Sequence, residues 1–292
     1  MKIAIIGATG KMGAWFCQEF IKFGHNVTGI GRNAAKLREL DSKHHIQGTT
    51  DYTSGLTGAN WILVAVPLDV IVQVVQNSLP FIDKGAIILD ILSVKGSVLP
   101  ILGKVCKEVG VQYVSTHPMF GPGAESMKDR NLIITPVPEH EKAVAQVKEQ
   151  FIAMGARVTE AGAEFHDKMM ALVLNLPHFL NILFGKILAS SGFEFPLIKQ
   201  FGGTTFALQE FLSLNVNAED PAIYGQFQFE NPAFHDLLKE FQELIGQYTK
   251  IIETKDPALF KQWMQGNDTF FKQDALYSKS NSLFYRILKI LS

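Results

Sequence analysis

The first half of the chain alternates short, nearly continuous apolar runs with segments whose apolar positions recur every three to four residues. The runs are KIAII, NVTGI, WILVAV, AIILDI, VQYVST and NLIIT. Apolar residues without polar alternation are the mark of strands buried on both faces of a parallel sheet. Between them, residues 11–23 and the stretches SVLPILGKVCKEVG and EHEKAVAQVKEQFIAMG carry helical periodicity. Strand and helix in turn predict an α/β domain with a Rossmann-type, doubly wound, mostly parallel sheet.

The pattern changes near GARVTEAGAEFHDK. From Ala163 onward strand patterns stop, and long helical periodicities predict an all-helical C-terminal domain of about four to six helices. The boundary falls near Gly162, giving a dinucleotide-binding domain over residues 1–162 and a helical substrate and dimerisation domain over 163–292. Phenylalanine is dense from Phe165 to Phe284, more than a small lone bundle needs, so a homodimer through the helical half is expected. No internal repeat or low-complexity tract interrupts this plan.

Composition narrows the function. With 47% hydrophobic and 19% charged residues and a formal charge of −1, the chain offers no basic block for nucleic acid or a membrane surface. Cys17 and Cys106 form neither a disulfide framework nor a metal-ligand pattern, which points to a reducing compartment and no metal site. The opening apolar run of KIAII is shorter than a secretory signal requires. The stretch WILVAVPLDVIVQVV is broken by Pro67, Asp69 and Gln73, so no transmembrane span is expected. A soluble cytoplasmic protein with a small-molecule substrate is the expectation.

The segment IIGATGKMG sets Gly7, Gly10 and Gly13 between the first strand and the first helix. Glycine there lets the backbone turn and lets a pyrophosphate approach the helix N-terminus, where unpaired N–H groups favour anions. The spacing is G-x-x-G-x-x-G. Candidate cofactor contacts are Gly7, Thr9, Gly10, Lys11, Met12 and Gly13, with Val66 and Pro67 at the end of a later strand. At the end of the second strand, where NAD sites carry an acid for the ribose 2′-hydroxyl, this chain has Gly31 followed by Arg32. An arginine suits a 2′-phosphate, so NADP is favoured over NAD.

Chemistry-bearing residues cluster at other strand ends. LDILSVKG places Ser93 and Lys95 after one strand, and YVSTHP ends another with His117. Pro118 keeps the residue before it extended. A histidine with its pKa near the working pH can take up a proton, and the Ser93 hydroxyl on the neighbouring strand end could orient it. In the helical half, HDKMMALVLNLPHF aligns Asp167, Ala171, Leu174, Asn175 and His178 on one stripe, with Pro177 expected to kink the helix.

These residues together resemble the prephenate/arogenate dehydrogenase family of tyrosine biosynthesis. The resemblance spans nearly the whole chain through the glycine loop, DILSVKG, THPMFGP and HDKMMALVLNLPHFL. It implies an NADP- or NAD-dependent oxidative decarboxylation of prephenate or arogenate. It further implies that His117 contacts the oxidised ring hydroxyl, that Ser93 assists it, and that His178 lies at the substrate or cofactor cleft; His178 and Lys95 are taken as the candidate substrate-binding residues.

Two positions depart from the family pattern. The arginine that clamps a substrate carboxylate aligns with Asn215, and there is no arginine between Arg157 and Arg286. The acidic residue some members carry after the HPM turn is Gly123. Lys95, Lys168, Lys199 or a partner subunit could replace the arginine, or the substrate could lack that carboxylate. The alternatives are an NADP(H)-dependent oxidoreductase for another small hydroxy or keto acid, and a non-catalytic dinucleotide sensor. The N-terminus is also similar to F420-dependent NADP reductases, which leave THPMFGP unexplained. The β-hydroxyacid dehydrogenases need an asparagine four residues after a helical lysine, and Leu172 stands there after Lys168.

Overall fold

The computed structural model describes residues 1–291. It separates into two compact units, Met1–Met170 and Ala171–Ser292. In the first unit, β1 (Lys2–Ile6), β2 (Asn26–Ile30), β3 (Gln47–Thr49), β4 (Trp61–Val64), β5 (Ile87–Asp90), β6 (Gln112–Pro118), β7 (Asn131–Thr135) and β8 (Arg157–Glu160) form one sheet. Their order is β3-β2-β1-β4-β5-β6-β7-β8. The helices α1 (Lys11–Lys22), α2 (Ala34–His44), α3 (Tyr52–Leu56), α4 (Leu68–Ser78), α5 (Leu99–Glu108) and α6 (Glu141–Ala153) cross between strands, and α7 (Ala163–Met170) closes the unit.

Every strand pair is parallel except β6–β7. Burial follows the apolar runs. Ile3, Ile5, Leu63, Leu89 and Val114 are sealed in the sheet, and α1 contributes Trp15, Phe16 and Phe20 to the same core. The order of connection reverses between β1 and β4, so a crevice opens at their carboxyl ends, where ligands of such sheets bind. The register pairs Ile6 with both Ile30 and Val64, which brings Gly7, Gly31 and Ala65 side by side at that crevice.

Two strands lie outside the sequence reading. β3, Gln47-Gly48-Thr49, has no apolar residue to mark it, and β8, Arg157-Val158-Thr159-Glu160, is a mostly exposed edge. Both are held by backbone hydrogen bonds to a neighbour, which a hydrophobic pattern does not report.

The second unit is helical: α8 (Leu176–Ala189), α9 (Phe195–Phe201), α10 (Thr204–Asn217), α11 (Pro221–Glu230), α12 (Pro232–Thr254), α13 (Pro257–Phe271) and α14 (Ser280–Leu291). From Ala163 onward the described residues form eight α-helices, α7 to α14, where four to six were expected. The extra divisions come from caps: Asp220, Asn231 and Asp256 each accept an amide hydrogen bond from the following turn, with proline next in line. The expected kink at Pro177 takes the form of a wide π turn, Ala171–Asn175. Pro177 has no N–H for the Val173 carbonyl and its ring crowds that oxygen, so the helix opens by one residue.

Among the described residues one helix, Ala163–Ala189, is long and apolar enough to cross a membrane, with mean hydropathy 1.5 in its most apolar window. The sequence reading tested a different stretch. Only 17% of that window is buried within the chain, so this helix carries an apolar face that its own protomer leaves uncovered.

Candidate active site

The glycine loop is built by steric need. Gly7 has φ +87°, and a Cβ placed on it would lie 2.2 Å from the Ala65 carbonyl oxygen. A Cβ on Gly13 would lie 2.2 Å from the Gly7 carbonyl oxygen, so α1 can seat its first turn against the loop only with glycine there. The Gly7 amide donates to the Ile30 carbonyl at 2.9 Å, tying the turn to β2. Gly10 caps α1 without a side-chain hydrogen bond. The first turn of α1 thus begins directly at the loop, and a helix N-terminus of this kind favours an anion. The cradle that any Cβ would fill fits the pyrophosphate of a dinucleotide.

Around it, Thr9 is half-buried and its methyl lies 3.2 Å from where a Gly31 Cβ would sit. Arg32 follows, exposed, and its positive charge reaches Tyr52. Val66 is half-buried and Pro67 exposed in the turn after β4, with Val66 Cγ1 3.2 Å from the position of a Gly7 Cβ. A cavity of about 800 Å³ lies elsewhere, against Met1, Trp61 and Ile87 at the amino ends of the strands, away from these residues.

His117 lies inside β6, with Ile133 of β7 opposite and Pro118 still paired to Leu132. The following turn is pinned by the Trp15 indole N–H, which donates to the Ala124 carbonyl at 2.6 Å, and by the Phe120 ring 5.0 Å from that of Trp15. His117 is therefore rigidly mounted. It is 4% exposed, and its Nδ1 is 3.0 Å from Nε2 of His166 on α7. The other ring nitrogen of His166, Nδ1, is 2.8 Å from Asp167 Oδ1. The Asp167 carboxylate also accepts the backbone N–H groups of Lys95 at 3.0 Å and Gly96 at 2.8 Å. Burial pushes the His117 pKa well below 6.5, and the Lys95 ammonium and His166 push it further. Burial lowers His166 as well, against an opposing pull from Asp167. Burial thus disfavours the protonated form of both rings.

Lys95 is 1% exposed, and its Nζ donates to Asp90 Oδ1 at 2.8 Å and to the Thr116 carbonyl at 2.7 Å. Asp90 in turn accepts the Tyr113 hydroxyl at 2.6 Å and the Leu92 amide at 2.8 Å. Lys95, a substrate-side candidate from the sequence, is held here in a buried ion pair with Asp90. Ser93 is half-buried in the turn between Asp90 and Lys95.

Within the N-terminal unit the structure thus gathers His117, Lys95 and the Ser93 turn at adjacent strand ends. It adds His166, which the sequence reading did not select, and joins to it Asp167, which that reading placed only on the helix stripe. Their signal was present: a His-Asp pair at the head of the helix whose later turns were read as facing a cleft. His178 belongs to the second unit, where its Nδ1–H donates to the Leu174 carbonyl at 2.7 Å. Its ring packs 4.9 Å from Tyr224 and 5.4 Å from Phe227. Burial lowers its pKa too. Asn175, fully buried, donates to the Phe227 carbonyl at 3.0 Å and fixes the helices around this histidine.

A doubly wound sheet with a glycine cradle at its switch point, followed by a separate helical unit, is the architecture of a nucleotide-binding domain joined to a helical one. Residues 20–160 match the family model described as prephenate dehydrogenase, nucleotide-binding domain, and residues 162–266 match prephenate dehydrogenase, dimerization domain. The chain belongs to the prephenate dehydrogenase family, and its N-terminal part matches that family's nucleotide-binding domain.

It is similar to a probable arogenate/prephenate dehydrogenase of Methanocaldococcus jannaschii, 26% identical over 94% of this chain and 62% of that protein. It is also similar to the T-protein of Haemophilus influenzae, 22% identical over 82% of this chain and 59% of that protein. The chain thus spans about three fifths of the length of these two relatives. In fold it resembles the prephenate dehydrogenase of A. aeolicus solved with hydroxyphenyl propionate and NAD+, with a TM-score of 0.78, 19% identity, and 94% of this chain and 98% of that one covered.

Proposed function

We propose that this chain is an NAD(P)-dependent dehydrogenase that oxidatively decarboxylates prephenate or arogenate, working as a homodimer through its helical half. The observation that carries the reading is the buried His117, locked at a strand end on the carboxyl side of the sheet that bears the glycine cradle. The nicotinamide, when bound, supplies the hydride acceptor. His117 takes the proton of the ring hydroxyl as the carbonyl forms. Loss of carbon dioxide then aromatises the ring, so the residues of the chain need only position the substrate and move one proton. Ser93, in the turn beside Lys95, serves to orient the hydroxyl, and His178 contributes from the helical unit.

NADP is favoured over NAD in this reading. Gly31 is packed against Thr9, so no acid occupies the position that would bond a ribose 2′-hydroxyl, and Arg32 stands exposed beside it. The homodimer is supported by apolar side chains the protomer leaves bare, Phe201 and Ile290 at 83% exposure and Phe229 at 75%.

One observation favours a second reading, a relative acting on a hydroxy acid with fewer carboxylates. Asn215, where the family clamp is expected, is exposed on α10. The three candidate replacements already hold acids: Lys95 with Asp90, Lys168 with Glu164 at 2.7 Å and Lys199 with Glu210 at 3.0 Å. His117→Asn is expected to lower turnover by at least ~100-fold while sparing cofactor affinity, as expected for loss of a general base. Surviving activity excludes His117 as the base.

A further inference from the structure

We infer that Asp167, acting through His166, sets the tautomer of His117 and so keeps its cleft-side nitrogen ready to accept a proton. Asp167 and His166 are then positioning residues, and the inference rests on the reading of His117 as the base.

The argument follows donors and acceptors along the chain of contacts. A carboxylate only accepts, so the 2.8 Å contact between Asp167 Oδ1 and His166 Nδ1 requires the proton on Nδ1. A neutral imidazole carries one N–H, which leaves His166 Nε2 with a lone pair. That lone pair lies 3.0 Å from His117 Nδ1, which must therefore be the donor. A neutral His117 protonated at Nδ1 presents a lone pair at Nε2. Among the described residues no hydrogen bond engages that nitrogen.

The carboxylate is what makes the direction unique. Without it the pair of imidazoles can run its hydrogen bond either way. Asp167 is itself fixed by the amides of Lys95 and Gly96, so the segment after β5 orients the anion that orients both rings. When His117 Nε2 gains a proton, the new positive charge is passed by hydrogen bond toward Asp167. The nearby Lys95 ammonium is already matched by Asp90.

Asp167→Asn reverses the chain at nearly the same side-chain volume. The Gly96 amide, which donates to Oδ2 at 2.8 Å, and the Lys95 amide, 3.4 Å from the same atom, hold the amide oxygen there. The NH₂ then takes the Oδ1 place facing His166 Nδ1, and the 3.0 Å hydrogen bond from the Lys95 amide is lost. His166 then carries its proton on Nε2 and donates to His117 Nδ1. His117 is left with its proton on Nε2, facing the substrate with a donor where an acceptor is needed.

The test is a long-range proton–nitrogen correlation spectrum of the full-length protein labelled with ¹⁵N-histidine, recorded at alkaline pH without substrate. The His117→Asn and His166→Gln variants assign the rings. The expected result is Nδ1–H for His117 in the native protein and Nε2–H in Asp167→Asn. Steady-state kinetics should show kcat falling by about 10²–10⁴-fold, with KM held within about threefold. A native His117 protonated at Nε2, or an Asp167→Asn protein with unchanged tautomer and kcat, overturns the inference.

If Asp167→Asn fails to fold, His166→Gln and His166→Leu decide. Glutamine offers an oxygen to His117 Nδ1–H and should retain both the tautomer and roughly tenfold more turnover than leucine. Equal behaviour of the two overturns the inference. The spectra need no substrate, so a native protein inactive on prephenate and arogenate removes the proposed reaction while the tautomer result stands or falls separately.

Discussion

Lys95→Met preserves most of the side chain and removes one buried charge. Asp90, at 0% exposure, loses its cationic partner at 2.8 Å and keeps only the Tyr113 hydroxyl and the Leu92 amide. The Thr116 carbonyl loses a donor at 2.7 Å. Breaking one side of a buried ion pair costs about 3–5 kcal/mol, because the remaining charge is left without compensation. At about 2–4 °C per kcal/mol for a domain of this size, the melting temperature should fall by about 6–20 °C. Asp90→Asn combined with Lys95→Met removes both charges and should recover part of that loss, since such pairs are often replaceable together. Thermal unfolding followed by circular dichroism, on unliganded protein in one buffer, reads both changes. A single-variant drop under about 2 °C, or a double variant less stable than the single, refutes a buried ion pair beneath His117.

Gly13→Ala places a methyl 2.2 Å from the Gly7 carbonyl oxygen. The forced shift, worth about 1–3 kcal/mol, should weaken dinucleotide binding by roughly 5–150-fold in a fluorescence titration. Arg32→Ala should raise the KM for NADP by about 10–100-fold and leave that for NAD within about twofold, because a charged hydrogen bond contributes about 1.5–3 kcal/mol. Equal effects on the two cofactors count against Arg32 as the phosphate contact. The depressed pKa of His117 predicts that kcat/KM stays level as pH falls through 6.5, where an ordinary histidine base would lose activity.

The same shifts fix the sign of acid stability. His117 and His166 are neutral when folded, and the unfolded chain takes up their protons once pH drops below about 6.5. Stability is therefore full above that value and falls by up to about 1.4 kcal/mol per pH unit for each ring, until the lowered folded pKa is reached. Urea unfolding at several pH values measures this slope, and a flat profile between pH 7 and 5 contradicts it.

How far the sequence could be read follows from the range of each interaction. The strands β1, β2, β4, β5, β6 and β7 and the glycine loop were legible because burial on both faces and backbone turns leave local marks. The edges β3 and β8 were not, since three polar residues and a mostly exposed tetrapeptide earn their places by pairing alone. Nor does an apolar run reveal direction, so the antiparallel β7 had to come from the structure. His117 was visible through Pro118 and the turn after it. Its partner His166 is 49 residues away and was hidden, because helical spacing selects faces and cannot report which strand end a face meets. The burial of Lys95 was hidden for a related reason: a lysine in a loop is ordinarily solvated, and only the position of Asp90 and Thr116 draws this one inward.

The account stands most directly on one assay. Purified native protein, given prephenate or arogenate in turn with NADP or NAD, should generate reduced nicotinamide absorbance with at least one substrate, more efficiently with NADP. The aromatised, decarboxylated product should accumulate in equal amount. Absence of cofactor reduction in all four combinations, from a folded protein that binds the dinucleotide, contradicts the proposed reaction.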